Sequence, residues 1–133
     1  MDKSIETAVR ERAAHRCEYC RVPRDPYRTP FQVDHIIARK HGGGAQPDNL
    51  ALACLHCNTH KGPNIAGIDP QTGRMSRLLH PRNDRWTKHF AWRGSIIEGL
   101  TRVGRATVDT LVLNDAAMVA VRESLREEGV HLE

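Results

Sequence analysis

Aromatic side chains are scarce in this chain: Phe, Tyr and Trp together supply 5% of its 133 residues. Mean hydropathy is −0.55, so the apolar core is expected to be thin for the length, and a structural metal would help to fix it. No stretch approaches the roughly 18 apolar residues that a membrane-spanning helix needs. The opening M-D-K-S-I-E-T-A-V-R-E-R has no apolar run of signal-peptide length. These absences argue against a membrane protein or a secreted one and point to the reducing cytoplasm, where cysteines serve metals better than disulfides. Internal repeats and low-complexity tracts are also missing, and the length suits one domain, 1–133.

Charge is plentiful and unevenly placed. The formal net charge is +4 and the sequence pI is near 9.1, a balance that favours a polyanionic partner. Between Arg74 and Arg105 stand eight Arg and Lys against two acids, Asp84 and Glu98. From Ala106 onward the sign reverses, with two Arg against six Asp and Glu. One face is therefore expected to be basic, and the C-terminal segment to be solvated and off that partner.

Periodicity gives a coarse order of elements. Ser4 to about Ala14 reads as a helix capped by Ser4, with Ile5, Val9 and Ala13 on one face and its Arg and Glu residues in water. Pro23, Pro26 and Pro30 make the following segment an irregular loop. Phe31–Ile37 reads as a strand, His41 to Asp48 as a Gly-rich loop, and Asn49–Ala53 as a second strand. Asn58–Lys61 makes about one helical turn, stopped at Gly62-Pro63. Residues 63–81 read mostly as loop. Asp84–Ile97 and Thr101–Leu113 read as two extended segments about a Glu98-Gly99 turn, and Asp115–Glu128 as a helix capped by Asn114, with Ala117, Val121 and Leu125 inward.

Four cysteines occur as two C-x-x-C pairs, Cys17/Cys20 and Cys54/Cys57, separated by 33 residues. Two such knuckles supply the four soft ligands of a closed, tetrahedral, structural zinc site. The gap exceeds ordinary zinc-finger spacing, so something with its own purpose lies between the knuckles. Asp34, His35 and Asn49 are there, with Asn58 just beyond. An imidazole can take a proton from water near neutral pH. A neighbouring carboxylate is a hard oxygen ligand suited to Mg²⁺ or Mn²⁺. Adjacent strand residues face opposite ways, so Asp34 and His35 serve one site only where the chain bends or at a strand end. Asn49 can bond backbone across the Gly-rich loop and so hold His35. Asn58 follows the second knuckle, so zinc fixes its position.

With these pieces in order, the segment resembles the HNH endonuclease family, whose ββα-metal motif is two antiparallel strands and a helix around one divalent cation. The resemblance implies a small α+β fold with a ββα-metal (His-Me finger) core over 17–62 and structural zinc; the residues beyond it add a basic and aromatic extension of two strands over 63–113 and a helix over 114–129. It implies His35 as the general base, Asn49 as the structural residue of the loop, and Asn58 at the third position. Asp34 and Asn58 are then the ligands of a catalytic Mg²⁺ or Mn²⁺. The activity implied is hydrolysis of nucleic-acid phosphodiester bonds, DNA foremost. The strings D-P-Q-T-G, H-P-R-N-D-R-W and G-R-A-T-V also look like those of compact bacterial members, with no chemistry assigned to them.

Other residues weigh less. Lys61 shares a helix face with Asn58 at i and i+3 and is a candidate phosphate contact, whereas His60, about 200° around the helix from Asn58, is a poor co-ligand. Arg39, Lys40, Arg82, Arg85 and Arg93 are candidate backbone contacts. The rings of Trp86, Phe90 and Trp92 are better read as core anchors than as base-stacking platforms. No recognition helix is apparent, so a homodimer or a targeting protein is an expected partner. The rival reading is a non-catalytic zinc-knuckle module for nucleic-acid binding or assembly, which leaves the Asp34, His35, Asn49 and Asn58 constellation unexplained.

Overall fold

A computed structural model describes residues 1–25 and 29–133; Pro26, within the expected proline-rich loop, lies outside the described residues. Helix α1 (Lys3–Arg12) is capped by Asp2 rather than Ser4: the Asp2 carboxylate accepts from the Ser4 backbone N–H at 2.7 Å. Val9 is buried on its inner face, with Ile5 and Ala13 packed alongside. Two arginines expected in water instead tie this helix to the strands beneath it. Arg10 donates to the Phe31 carbonyl at 2.9 Å, and Arg12 to the carbonyls of Pro47 and Leu50 at 2.9 and 2.6 Å.

Strand β1 (Gln32–His35) pairs antiparallel with β2 (Leu50–Ala53) in the register Gln32↔Ala53 to His35↔Leu50. Both strands are shorter than the sequence suggests, since Ile36 and Ile37 already belong to the bend. All four residues of β2 are buried, because α1 and the following helix both pack against it. That helix, α2 (Leu55–Lys61), starts three residues earlier than expected, with Cys54 as its cap, and ends at Gly62, whose φ is 51°. The unit is ββα.

The expected loop over 63–81 contains a hairpin, β3 (Ala66–Ile68) with β4 (Met75–Arg77). Its connecting segment is the D-P-Q-T-G string. The Asp69 carboxylate accepts from the Gln71 N–H and the Thr72 hydroxyl, both at 3.0 Å, and receives a two-pronged Arg105 guanidinium at 2.9 Å on each oxygen. Helix α3 (Trp86–His89) runs into β5 (Phe90–Arg93), which pairs with β6 (Ile96–Gly99) about a turn at Gly94, φ 60°.

Thr101–Leu113 is not extended. Helix α4 (Arg102–Thr110) occupies it, capped by the Thr101 hydroxyl, which accepts from the Gly104 N–H at 3.1 Å. Val103, Ala106, Thr107 and Leu111 are all buried at helical spacing, and that pattern prevails over the β preference of the valines. Gly104 is required by packing: a Cβ there would stand 2.0 Å from the His89 carbonyl oxygen. Helix α5 (Ala116–Glu127) is capped by Asp115, not Asn114. The Asn114 amide is engaged elsewhere, accepting from the Ile97 N–H and donating to its carbonyl, each at 2.8 Å. Ala117 is exposed; Met118, Val121, Leu125 and the fully buried Arg122 form the inner face.

The described residues thus form a small α+β protein with three two-stranded sheets around one continuous core. Trp86 and Phe90 are buried in that core, with ring centroids 4.9 Å apart, and Trp92 lies 5.5 Å from Trp86. The rings are anchors, as expected. Among the described residues no helix is long and apolar enough to cross a membrane.

Candidate zinc centre and active site

The two knuckles meet. Sulfur atoms of Cys17, Cys20, Cys54 and Cys57 all lie within 4.8 Å of one another, and every one of these residues is buried. The Cys20–Cys54 sulfur separation is 3.7 Å; a tetrahedron with zinc–sulfur bonds of about 2.3 Å has edges of about 3.8 Å. The donor set fits structural zinc. Sulfur contacts, that with Cys17 foremost, pull the Cys54 thiol far below its ordinary range, while contacts of the same kind and burial push Cys20 and Cys57 above theirs. Thiolate character is therefore available to a cation. Glu18, inside the first knuckle, accepts from the Leu52 N–H at 2.8 Å and so joins that knuckle to β2.

Between the knuckles the Gly-rich loop is closed by Asn49. Its side-chain oxygen accepts from the Ile37 N–H at 2.9 Å, and its amide nitrogen donates to the carbonyls of Ile37 at 3.0 Å and Gly44 at 2.7 Å. Gly43 passes so close beneath that a Cβ would stand 1.7 Å from the Ile37 oxygen. Ile37 is two residues after His35, so this clamp fixes the bend that ends β1. His35 sits at that strand end, half-buried, and its Nε2 is enclosed with no hydrogen-bond partner among the described residues. Two strands, a clamped loop, a terminal imidazole and a helix led by a cysteine knuckle make one pattern, and residues 17–64 match the HNH endonuclease family model.

Residues 17–64 are similar to an HNH endonuclease domain.

A further relative, the Septu protein PtuB of Bacillus thuringiensis, is 25% identical over 112 residues, covering 83% of this chain. The chain spans 41% of that protein's length. No solved structure matches. At the family level the HNH domain is of nuclease type.

The other HNH candidates fall in different places. Asp34 is buried beside β2 and is held by two groups. The Tyr19 hydroxyl donates to Oδ2 at 2.8 Å, and the Lys61 ammonium lies 3.2 Å from Oδ2 and 3.4 Å from Oδ1. Burial raises the Asp34 carboxyl above its ordinary range, against the downward pull of Lys61 and Tyr19. Burial, then Asp34, pushes the Tyr19 hydroxyl upward, which keeps it a donor. Lys61 is 1% exposed and also donates to the His35 carbonyl at 3.2 Å; in this arrangement it faces Asp34 and not solvent, contrary to its reading as a phosphate contact. Asn58, three residues earlier on α2, is half-buried, and its amide makes no hydrogen bond among the described residues. His60 is turned back to the His56 carbonyl at 2.8 Å, and His56 Nε2 reaches the Leu111 and Val112 carbonyls at 3.0 and 2.9 Å.

The candidate phosphate cations divide in two. Arg39, Lys40, Arg85 and Arg93 are exposed. Arg82 is not free: it forms an ion pair with Glu18, and burial, then nearby Arg12, pushes its guanidinium down to about 10. Tyr19, Glu18 and His80 were not singled out as site residues from sequence. The ring inside C-E-Y-C was the available signal for Tyr19. Beside the HNH bend a cleft of about 280 Å³ opens, with Ile36, Ile37 and Lys61 on one wall and Arg77, His80 and Asn83 on the other.

Proposed function

We propose that this protein is a metal-dependent endonuclease acting on nucleic-acid phosphodiester bonds, most readily those of DNA, with His35 as the general base. The observation that carries the reading is the enclosed, unpartnered Nε2 of His35 at a strand end fixed by the three hydrogen bonds of Asn49. An imidazole with an open nitrogen can take the proton from a water molecule as that water attacks phosphorus in line. Asn49 orients it through the loop. Asp34 and Asn58 would hold Mg²⁺ or Mn²⁺: the Asp34 carboxylate already accommodates a positive charge on both oxygens, and the Asn58 amide is unspent. Such an ion, when bound, neutralises charge at the phosphate and at the leaving 3′-oxygen. Exposed Arg39, Lys40, Arg85 and Arg93 would track the phosphate backbone. Action in the cytoplasm agrees with four free cysteines, and a second copy or a targeting protein would supply specificity.

One observation favours the rival, a non-catalytic zinc-knuckle module: Asp34 is already neutralised by Lys61. Plasmid cleavage by zinc-loaded protein with Mg²⁺, Mn²⁺ or EDTA decides between them. Wild type should nick only with the added divalent ion, and His35→Ala should lose about 10²–10⁴ in rate with its fold intact. Equal cutting by both would remove His35 from the mechanism. Binding without cutting, indifferent to divalent ions, would select the rival.

A further inference from the structure

The H-P-R-N-D-R-W string has no place in the mechanism above, yet three of its residues are spent on structure. Arg82 pairs with Glu18 of the first knuckle. The Trp86 indole donates to the Tyr19 carbonyl at 2.9 Å. Asp84 takes a two-pronged Arg77 at 2.6 and 3.0 Å and accepts from the His80 N–H at 2.8 Å. His80 is different: its backbone is used, and one edge of its ring is left over. The His80 carbonyl accepts from the N–H groups of Asn83 and Asp84 at 3.1 and 2.8 Å, and its Nδ1 faces the N–H groups of Arg82 and Asn83 at 3.3 and 3.2 Å. A ring nitrogen that meets two donors is an acceptor, so the neutral ring carries its proton on Nε2. The string thereby fixes both the orientation and the tautomer of a half-buried imidazole on the wall of the cleft opposite Ile36, Ile37 and Lys61. Ile36 directly follows His35.

We infer that His80 is a substrate-binding residue, donating its Nε2–H to a non-bridging oxygen of the phosphodiester backbone as a neutral hydrogen-bond donor. This rests on the endonuclease reading, which places the reacting strand along the same bend. A phosphate oxygen only accepts, and among the described residues the cleft offers it spare donors in the His80 ring and the exposed amides of Asn64 and Asn83. The charged groups nearby are otherwise committed, Lys61 to Asp34 and Arg77 to Asp84. A proton on Nδ1 would meet two N–H groups, so His80 contributes a dipole here and not a charge.

The test uses the full zinc-loaded chain carrying His35→Ala, so that substrate stays intact, and fluorescence anisotropy of a duplex oligonucleotide over a range of salt. His80→Asn retains an acceptor at the δ position for the Arg82 and Asn83 N–H groups, but its amide donor falls short of the Nε2 position; His80→Gln carries a donor of similar reach to Nε2–H. Affinity should fall about ten- to hundredfold for His80→Asn, as for loss of a hydrogen bond to a charged group, and recover in part for His80→Gln. The salt slope should stay unchanged, whereas loss of a cationic phosphate contact lowers it by about 0.9. Parent-like affinity in both variants, or a slope reduced by that amount, overturns the proposal. Should His80→Asn melt early, His80→Gln against His80→Ala supplies the same contrast. Cleavage by the otherwise wild-type protein is followed in parallel. If that protein binds with the predicted His80 dependence and never cuts, the nuclease reading fails and the donor stands. If it cuts and the His80 variants bind and cut normally, the donor fails alone. No binding by the parent overturns both.

Discussion

The HNH half and the extension are held together by different means. From Cys17 to Lys61 the fixed points are four sulfurs, one asparagine spanning a loop, and a lysine buried on an aspartate. From β3 to α5 they are tilted ring contacts, the Asp69–Arg105 and Asp84–Arg77 pairs, and a fully buried Arg122 that donates to the Ser95 carbonyl at 2.8 Å and the Asn114 oxygen at 3.1 Å. The first half thus sets polar, reactive groups directly against the buried apolar residues of β2, beside a cysteine cluster that could hold a metal. The second has the rings and can supply a rigid wall. The two halves are joined where the extension's Trp86 and Arg82 meet Tyr19 and Glu18 of the first knuckle, so the reactive half leans on the ring-bearing one.

Zinc removal is the largest way to break that comparison. Structural zinc contributes on the order of 10 kcal/mol in comparable peptides, comparable to the whole stability of a domain, about 5–15 kcal/mol. Chelation, or Cys57→Ser, should therefore unfold both halves together, followed by Trp fluorescence, since Trp86 bonds to Tyr19 within a knuckle. Native emission persisting in metal-free protein would show that the extension stands alone.

Lys61→Met is the next largest. It leaves Asp34 buried with Tyr19 as its remaining partner, and stranding one member of a buried pair costs about 3–5 kcal/mol, measurable by urea denaturation. If Asp34 is a cation ligand, millimolar Mn²⁺ should restore more stability to this variant than to wild type, because the ion replaces the lost charge. Equal Mn²⁺ effects on both would count against Asp34 as a ligand.

The smallest effect sharpens the picture of the extension. Arg105 holds the Asp69 carboxyl well below the ordinary carboxylate range. A depressed acid stabilises the fold above its unfolded value, near 3.9, and that contribution is lost as pH falls through the lower, folded value. The stability difference between wild type and Asp69→Asn should be flat from neutrality down to about pH 5 and shrink only below pH 4. A difference that disappears between pH 7 and 5 would remove Asp69 as its source.

Much of the site was legible because its signals are local. Cysteine spacing announced the tetrad, the short apolar run Leu50–Ala53 announced β2, and Gly62 announced the end of α2. Asn49 was placed across the Gly-rich loop from its chemistry alone, and its bonds to Ile37 and Gly44 lie there. What stayed hidden depends on tertiary partners. A lysine is rarely fully buried, so nothing in N-T-H-K foretells that Lys61 turns inward to Asp34. Helix α4 was masked by Val103, Val108 and Val112, although Val103, Ala106, Thr107 and Leu111 carry its period. The cap of α5 was misread by one residue because the Asn114 side chain is claimed by Ile97, seventeen positions away. The strands β3 and β4, three residues each, are too short to leave an alternation.

The Trp86–Tyr19 hydrogen bond bears on how the motif can be moved. The homologous segment ends at residue 64, yet the indole that satisfies the carbonyl between Glu18 and Cys20 comes from 67 positions downstream, and the arginine paired with Glu18, Arg82, also lies beyond that end. Excision at 64 would leave both groups beside the cysteine cluster searching for water. Anyone transplanting this HNH-like segment onto another protein must carry residues 80–86 with it, or design a surface that imitates them: the natural cut for grafting is drawn by hydrogen bonds, well past the edge of sequence similarity.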